Sequence, residues 1–176
     1  AAALLMSNLQ AAVKAFSGEA ATPRELCERV NRMICGHIAT GSYITCFYGV
    51  LDVRARILSY VNAGHNPPLL WSPGMPVRTL EHGGTVLGLF RDSIYELGEV
   101  RLKPGDRLLR YTDGRSEAAG PTDEEFGEAR LAALLGAASS VGVEDLKAEI
   151  LGAVTEFCGG EFRDDATLIV IQVDPA

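Results

Sequence analysis

The chain has 176 residues, enough for one compact domain with a real core. Its 47% apolar and 22% charged content is ordinary for a folded soluble protein. The net charge of −7, from 16 basic and 23 acidic residues, argues against nucleic acid or an anionic membrane as the main partner.

Residues 2–16 read as a helix, because Leu5, Leu9, Ala12 and Phe16 repeat at helical spacing with Met6 and Val13 beside them. Gly18 stops it. A second helix, over about residues 23–39, starts at a capping box: Thr22 as N-cap, Pro23 at N1 and Glu25 at N3. Leu26, Val30, Met33, Ile34 and Ile38 form its apolar stripe. The period then changes. Residues 45–53 and 57–62 are rich in β-branched and aromatic residues around a polar turn at 52–56, which predicts a hairpin. Leu69-Leu70-Trp71 and 77–80 flank Ser72-Pro73-Gly74-Met75-Pro76, a second hairpin with turn chemistry at its tip. Strands over 94–102 and 106–112 meet at Pro104-Gly105-Asp106. Helices return over 127–138, with Leu131, Leu134 and Leu135 inward, and over 143–158, with Val143, Leu146, Ile150, Val154 and Phe157 at helical spacing. A strand over 166–173 closes the chain. Clustered strands with tight turns and clustered helices give an α+β pattern with a mostly antiparallel sheet, not βαβ. No repeat or linker interrupts it, so residues 1–176 read as a single domain.

Cys27, Cys35, Cys46 and Cys158 form no Cys-x-x-Cys pair and have no His at zinc spacing. They read as buried thiols of a reducing cytosol, so the expected location is cytoplasmic. The first residues have no basic n-region, unlike a signal peptide, and no segment is apolar enough to span a bilayer.

Two acidic signatures carry the chemistry. One is Leu108-Leu109-Arg110-Tyr111-Thr112-Asp113-Gly114, the other Arg163-Asp164-Asp165-Ala166-Thr167-Leu168-Ile169-Val170. Each sets a carboxylate where an apolar strand meets a turn. Two carboxylates brought together there repel unless a cation lies between them, and all-oxygen ligands suit Mg²⁺ or Mn²⁺. Either signature alone also reads as an ordinary turn or loop. Asn62-Ala63-Gly64-His65-Asn66-Pro67-Pro68 offers a His between two amides. With no nucleophile or acid nearby in sequence, it reads as a structural corner with His65 hydrogen-bonded to backbone. Gly83-Gly84-Thr85-Val86-Leu87-Gly88-Leu89 lacks the Lys-Ser/Thr of a P-loop and reads as a loop where backbones pack closely. Ser72, Ser116 and Ser139 sit in no nucleophile elbow.

In combination these pieces are specific. Thr45 to Asp52, Tyr60 to Pro68, Gly84 to Leu89, Pro104-Gly105-Asp106, Tyr111 to Ala118, Phe126-Gly127 and Asp164 to Leu168 follow one another in an order that resembles a known pattern. The chain resembles the SpoIIE/RsbU branch of the metal-dependent (PPM, protein phosphatase 2C-like) serine phosphatases over essentially its whole length. The resemblance implies an antiparallel β-sandwich flanked by helices (αββα). It implies two Mn²⁺ or Mg²⁺ ions that activate a water for in-line attack on phosphorus, without a phosphoenzyme. Asp113 and Asp164 would be the catalytic metal ligands, with Asp165 as the fallback. Gly114, Asn62, Gly64 and His65 would belong to the structural motifs.

The resemblance further implies a phosphorylated STAS-domain anti-sigma-factor antagonist as substrate, sigma-factor regulation as outcome, and an upstream sensor domain such as PAS, GAF or receiver in the parent protein. One departure stands out. The family carries an Asp-x-Ser-Gly-x-Gly motif, whose Asp bridges both metals, just before the helix that here begins at Ala2. Its absence implies an N-terminally incomplete domain without its first strands, weak or inactive by itself, with an exposed edge that invites a homodimer. The rival reading is an inactive pseudo-phosphatase that binds a STAS partner. A weaker rival is a structural α+β domain with chance carboxylates.

Overall fold

Helix α1 (Ala2–Phe16) and helix α2 (Pro23–Ile34) begin the chain. The start of α2 follows its capping residues: Thr22 Oγ1 accepts the Glu25 N–H at 3.2 Å, and Glu25 Oε2 accepts the Ala21 N–H at 2.9 Å. The Ala21 N–H, then the Arg29 guanidinium, hold the Glu25 carboxyl below its usual range. The computed structural model describes residues 2–38, 41–112, 126–137, 141–160 and 167–174. The helix expected to run to residue 39 ends at Ile34. Past it, Gly36 N–H and His37 N–H bond the Met33 and Ile34 carbonyls, a tighter i→i+3 winding at a glycine of low helix propensity.

Two compact units follow from the fold, Ala1–His65 with Glu81–Leu102, and Asn66–Leu80 with Lys103–Ala176. In the first, β1 (Cys46–Asp52) and β2 (Ile57–Ala63) form the expected hairpin, with Cys46 opposite Ala63 and Asp52 opposite Ile57. Asp52 Oδ1 accepts the Ala55 N–H at 2.8 Å inside the turn. The other side of β2 is shared by the short strands β5 (Gly83–Gly84), parallel, and β6 (Gly98–Arg101), antiparallel. Alternation along β2 is weak because four of its last residues, Tyr60 to Ala63, are all buried. The core of this unit packs Ala12, Leu26, Val30 and Ile34 from the helices against Val61, Ala63, Leu87 and Tyr95.

In the second unit, β3 (Leu69–Trp71), β4 (Arg78–Thr79), β7 (Arg107–Tyr111) and β8 (Leu168–Gln172) form an antiparallel sheet in the order β4-β3-β7-β8. Helices α3 (Gly127–Ala137) and α4 (Val143–Phe157) bury Leu131, Leu135, Leu146, Ile150 and Val154 against Leu69, Trp71, Leu109 and Tyr111. The Pro104-Gly105 turn closes as its composition predicts: Asp106 N–H bonds Lys103 O at 3.0 Å, while Asp106 Oδ2 accepts the Lys103 N–H at 2.8 Å. Among the described residues no helix is long and apolar enough to cross a membrane.

Two further expectations are corrected. Gly83-Gly84, expected in a loop, is a strand, and the strand expected over 94–102 is confined to Gly98–Arg101. One hydrogen bond links these findings: Glu96 N–H bonds Gly83 O at 2.8 Å, so the chain before Gly98 secures β5 and does not join the β2 ladder. The glycine at 83 is a packing requirement, since a Cβ there would lie 1.9 Å from Asn62 O. Gly83→Ala should therefore lower stability by about 2–3 kcal/mol in urea unfolding. Gly18→Ala, where a Cβ meets nothing within 4 Å, should change it by less than about 0.5 kcal/mol.

Candidate active site

The two acidic signatures enter the fold through β7 and β8. Leu109 and Tyr111 alternate inward from β7 toward α3 and α4, and β8 runs alongside with Arg107 opposite Gln172 and Tyr111 opposite Leu168. The pairing continues one step past both strands: Thr112 N–H bonds Thr167 O at 3.1 Å, and Thr167 N–H bonds Thr112 Oγ1 at 3.0 Å. Tyr111 Oη donates to Glu128 Oε1 at 2.7 Å, tying this strand end to the first turn of α3. Asp113 follows Thr112 directly, and Asp165 precedes Thr167 by two residues. Asp113, Gly114, Asp164 and Asp165 themselves lie outside the described residues. Among the described residues no group of three or more His, Cys, Asp or Glu side chains could hold a metal ion.

The Asn62–His65 corner is in the first unit. Asn62 is nearly buried, and its side chain spans the corner: Nδ2 donates to His65 O and Oδ1 accepts the His65 N–H, both at 2.8 Å. The backbone bonds of the corner are thus made by Asn62, while the His65 ring meets Thr45, Nδ1 to Oγ1, at 3.2 Å. Gly64 has φ 68°, and a Cβ there would lie 2.5 Å from Val86 Cγ1.

Sequence reasoning passed over Thr112, Thr167 and Glu128. The threonines were visible only as neighbours of the acidic residues. Glu128 resembled any acidic residue in a first helical turn, where it complements the dipole. Its partner at the end of β7 is a tertiary fact.

Residues 1–174 match the model of the stage II sporulation protein E family, SpoIIE. The chain belongs to the SpoIIE family. It is 32% identical over 202 aligned residues to Protein IcfG of Synechocystis sp. (strain ATCC 27184 / PCC 6803 / Kazusa), covering 97% of this chain and 31% of that protein. It is 26% identical over 173 residues to the phosphoserine phosphatase RsbU of Bacillus subtilis (strain 168), covering 97% of this chain and 51% of RsbU. The SpoIIE-family chain thus spans about half or less of the length of these two relatives. The solved SiaA-PP2C domain of Pseudomonas aeruginosa superposes with a TM-score of 0.83 at 23% identity, over 98% of this chain and 70% of that one. That likeness shows the fold, a mixed α+β arrangement of the PP2C-like phosphatase domains.

Burial pushes the Cys27 thiol up to about 12, with Cys46 and then Glu28 adding to it. Burial likewise pushes the Tyr95 hydroxyl up to about 12. A group whose folded pKa is raised binds its proton more tightly in the native state. Its stabilisation is full below the unfolded pKa and is lost as pH rises through the folded one. The midpoint of urea unfolding should therefore fall between about pH 9 and pH 12, and Cys27→Ala should flatten part of that decline. Asn62→Ala, which strands the His65 amide and carbonyl, should cost about 1–3 kcal/mol in the same assay at pH 7.

Proposed function

We propose that this chain is the phosphatase domain of a metal-dependent regulatory serine phosphatase, and that its substrate is a phosphorylated STAS-domain anti-sigma-factor antagonist. Both units, residues 1–176, serve as one catalytic domain on this reading. The observation that carries it is the Thr112–Thr167 pairing at the end of the β7–β8 ladder, in a chain matched to the SpoIIE family over residues 1–174. Two acidic signatures remote in sequence leave the sheet from one paired pair of residues. The relative RsbU is a phosphoserine phosphatase, and that likeness supports the same reading.

Asp113 and Asp164 are the proposed ligands, with Asp165 in place of Asp164 as the fallback. The donor chemistry fits: these are carboxylate oxygens without soft nitrogen or sulfur donors, the set that Mn²⁺ and Mg²⁺ prefer. When bound, two such ions supply a nucleophile at neutral pH and neutralise charge on the phosphoryl group. The chain's own contribution is positional. Thr112 and Thr167 fix the points from which the acidic segments leave, and the Tyr111–Glu128 bond holds the β7 end against α3. Gly114, next to Asp113 in sequence, is the proposed structural residue of the same motif.

The decisive experiment is Mn²⁺-dependent phosphate release from a serine-phosphorylated STAS-domain protein by the full-length gene product. Asp113→Asn should lower kcat/KM by at least about 100-fold, since even outer-shell partners of a metal typically cost 10–100-fold. EDTA should abolish release, and Mn²⁺ should restore it. A folded protein that binds the phosphorylated partner without releasing phosphate would instead identify a pseudo-phosphatase.

A further inference from the structure

Buried polar side chains persist where each hydrogen-bonding group has a partner, and Asn31 on α2 is a complete case. It is fully buried. Its Nδ2 donates to Phe90 O at 2.8 Å and to Arg91 O at 3.1 Å, and its Oδ1 accepts the Gly88 N–H at 2.8 Å. The same Oδ1 accepts the Cys35 thiol at 3.7 Å. Asn31 therefore spends three of its four hydrogen bonds on the backbone of one turn and the fourth on the Cys35 thiol.

That turn is fixed at further points. Leu87 and Ile44 exchange both backbone bonds at 2.8 and 2.9 Å. Phe90 O also accepts the Ser93 hydroxyl at 2.8 Å. Gly88, at φ 91°, lies so close to the end of α2 that a Cβ would be 2.4 Å from Ile38 Cδ1. Yet the side chains the turn carries face outward: Leu89 is 43% exposed, Phe90 61% and Ile94 78%. An apolar tip with no task would gain by folding down onto the core. Here a buried amide holds it out, which removes in advance the ordering cost of an association.

We propose that the Leu89–Ile94 tip is the docking ridge for the folded phosphoprotein substrate; the proposal rests on the phosphatase reading above. Rigidly presented apolar and aromatic side chains rimmed by charge, here Arg91 and Asp92, match the core-and-rim anatomy of protein interfaces. Three such side chains offer roughly 300 Å² of apolar surface, the scale of a functional patch. A stable dimer buries about 1,200–2,000 Å² counted over both partners, and two such ridges meeting would supply only about 600 Å², so the ridge is suited to a partner that binds and leaves, as a substrate must. Glu81, Asp92 and Glu96 against Arg91 give the neighbourhood an acidic balance, which disfavours an anionic lipid surface.

The test is titration calorimetry of the full-length gene product, in EDTA, with a serine-phosphorylated STAS-domain protein as the probe. Phe90→Ala and Ile94→Ser should each weaken affinity about tenfold or more. Met75→Ala, equally exposed in the other unit, should leave it unchanged. Affinity within about twofold of wild type in both tip variants overturns the proposal. So does a wild-type dimer in sedimentation that Phe90→Ala dissociates, since the ridge would then serve a second copy. Phosphate release by the wild type is scored separately: Phe90-dependent binding without release would sink the phosphatase reading and support the ridge.

Discussion

The pairing of β7 with β8 constrains the second unit more than any other contact. Its strands are far apart in the chain, and its register is fixed at both ends. At one end Arg107, nearly buried, donates from Nε to Gln172 Oε1 at 3.0 Å, lies over the Trp71 ring at 5.6 Å and reaches the Val141 carbonyl. At the other end Thr112 and Thr167 exchange the bonds that close the ladder. A slip of one residue would turn Leu109 and Tyr111 away from α3 and α4 and leave the Arg107 guanidinium buried without its side-chain acceptor. Core packing and polar pairing therefore select the same register, and that register brings Thr112 to Thr167.

The first unit contains the longer β1–β2 ladder, but its irregular segments are held by close backbone approach. β5 is two residues long, and it pairs with Asn62 and Ala63 only because Gly83 has no side chain to collide with Asn62. Asn62 then closes the corner to His65 with its own amide. Asn31 does the same for the Gly88–Arg91 turn. In each case a carboxamide, which has donors and an acceptor on one planar group, satisfies backbone groups that no strand or helix reaches. The unit thus keeps two irregular segments ordered without enlarging its apolar core.

Features encoded within a few residues were legible in the sequence. The Thr22–Glu25 capping box, the Asp52–Arg56 and Pro104–Asp106 turns and the apolar stripes of α1, of α2 as far as Ile34, and of α4 are all local, and each lies where periodicity and turn chemistry put it. What depends on distant partners was not legible. Gly83-Gly84 has no side-chain alternation to mark a strand, and its pairing is carried by backbone alone. Tyr95 and Glu96 looked like ladder residues, but one is buried against the helices and the other bonds Gly83. Asn31 interrupts the apolar stripe of α2, a visible irregularity, yet its backbone partners lie 57 to 60 residues further on. The acidic signatures stood out as strand-end carboxylates, whereas the threonines that join the strand ends had no signal beyond adjacency.

On the proposed reading, placing the carboxylates just beyond the ladder resolves a conflict between precision and cost. Inside the sheet, a carboxylate facing the core would be desolvated before any cation arrived, and a neighbouring one would raise its pKa further. Far out on a loop, it would keep its hydration but lose the fixed geometry a hard cation's ligands require. In sequence Asp113 is one residue beyond Thr112 and Asp164 three before Thr167, so the strand-end pairing sets where both acidic segments start. The repulsion between two such groups falls on the β7–β8 register, which Leu109, Tyr111 and the Arg107–Gln172 bond hold independently of any ion. On that reading the apolar ladder would fold without an ion, and metal affinity would depend on how firmly its Thr112–Thr167 end stays paired.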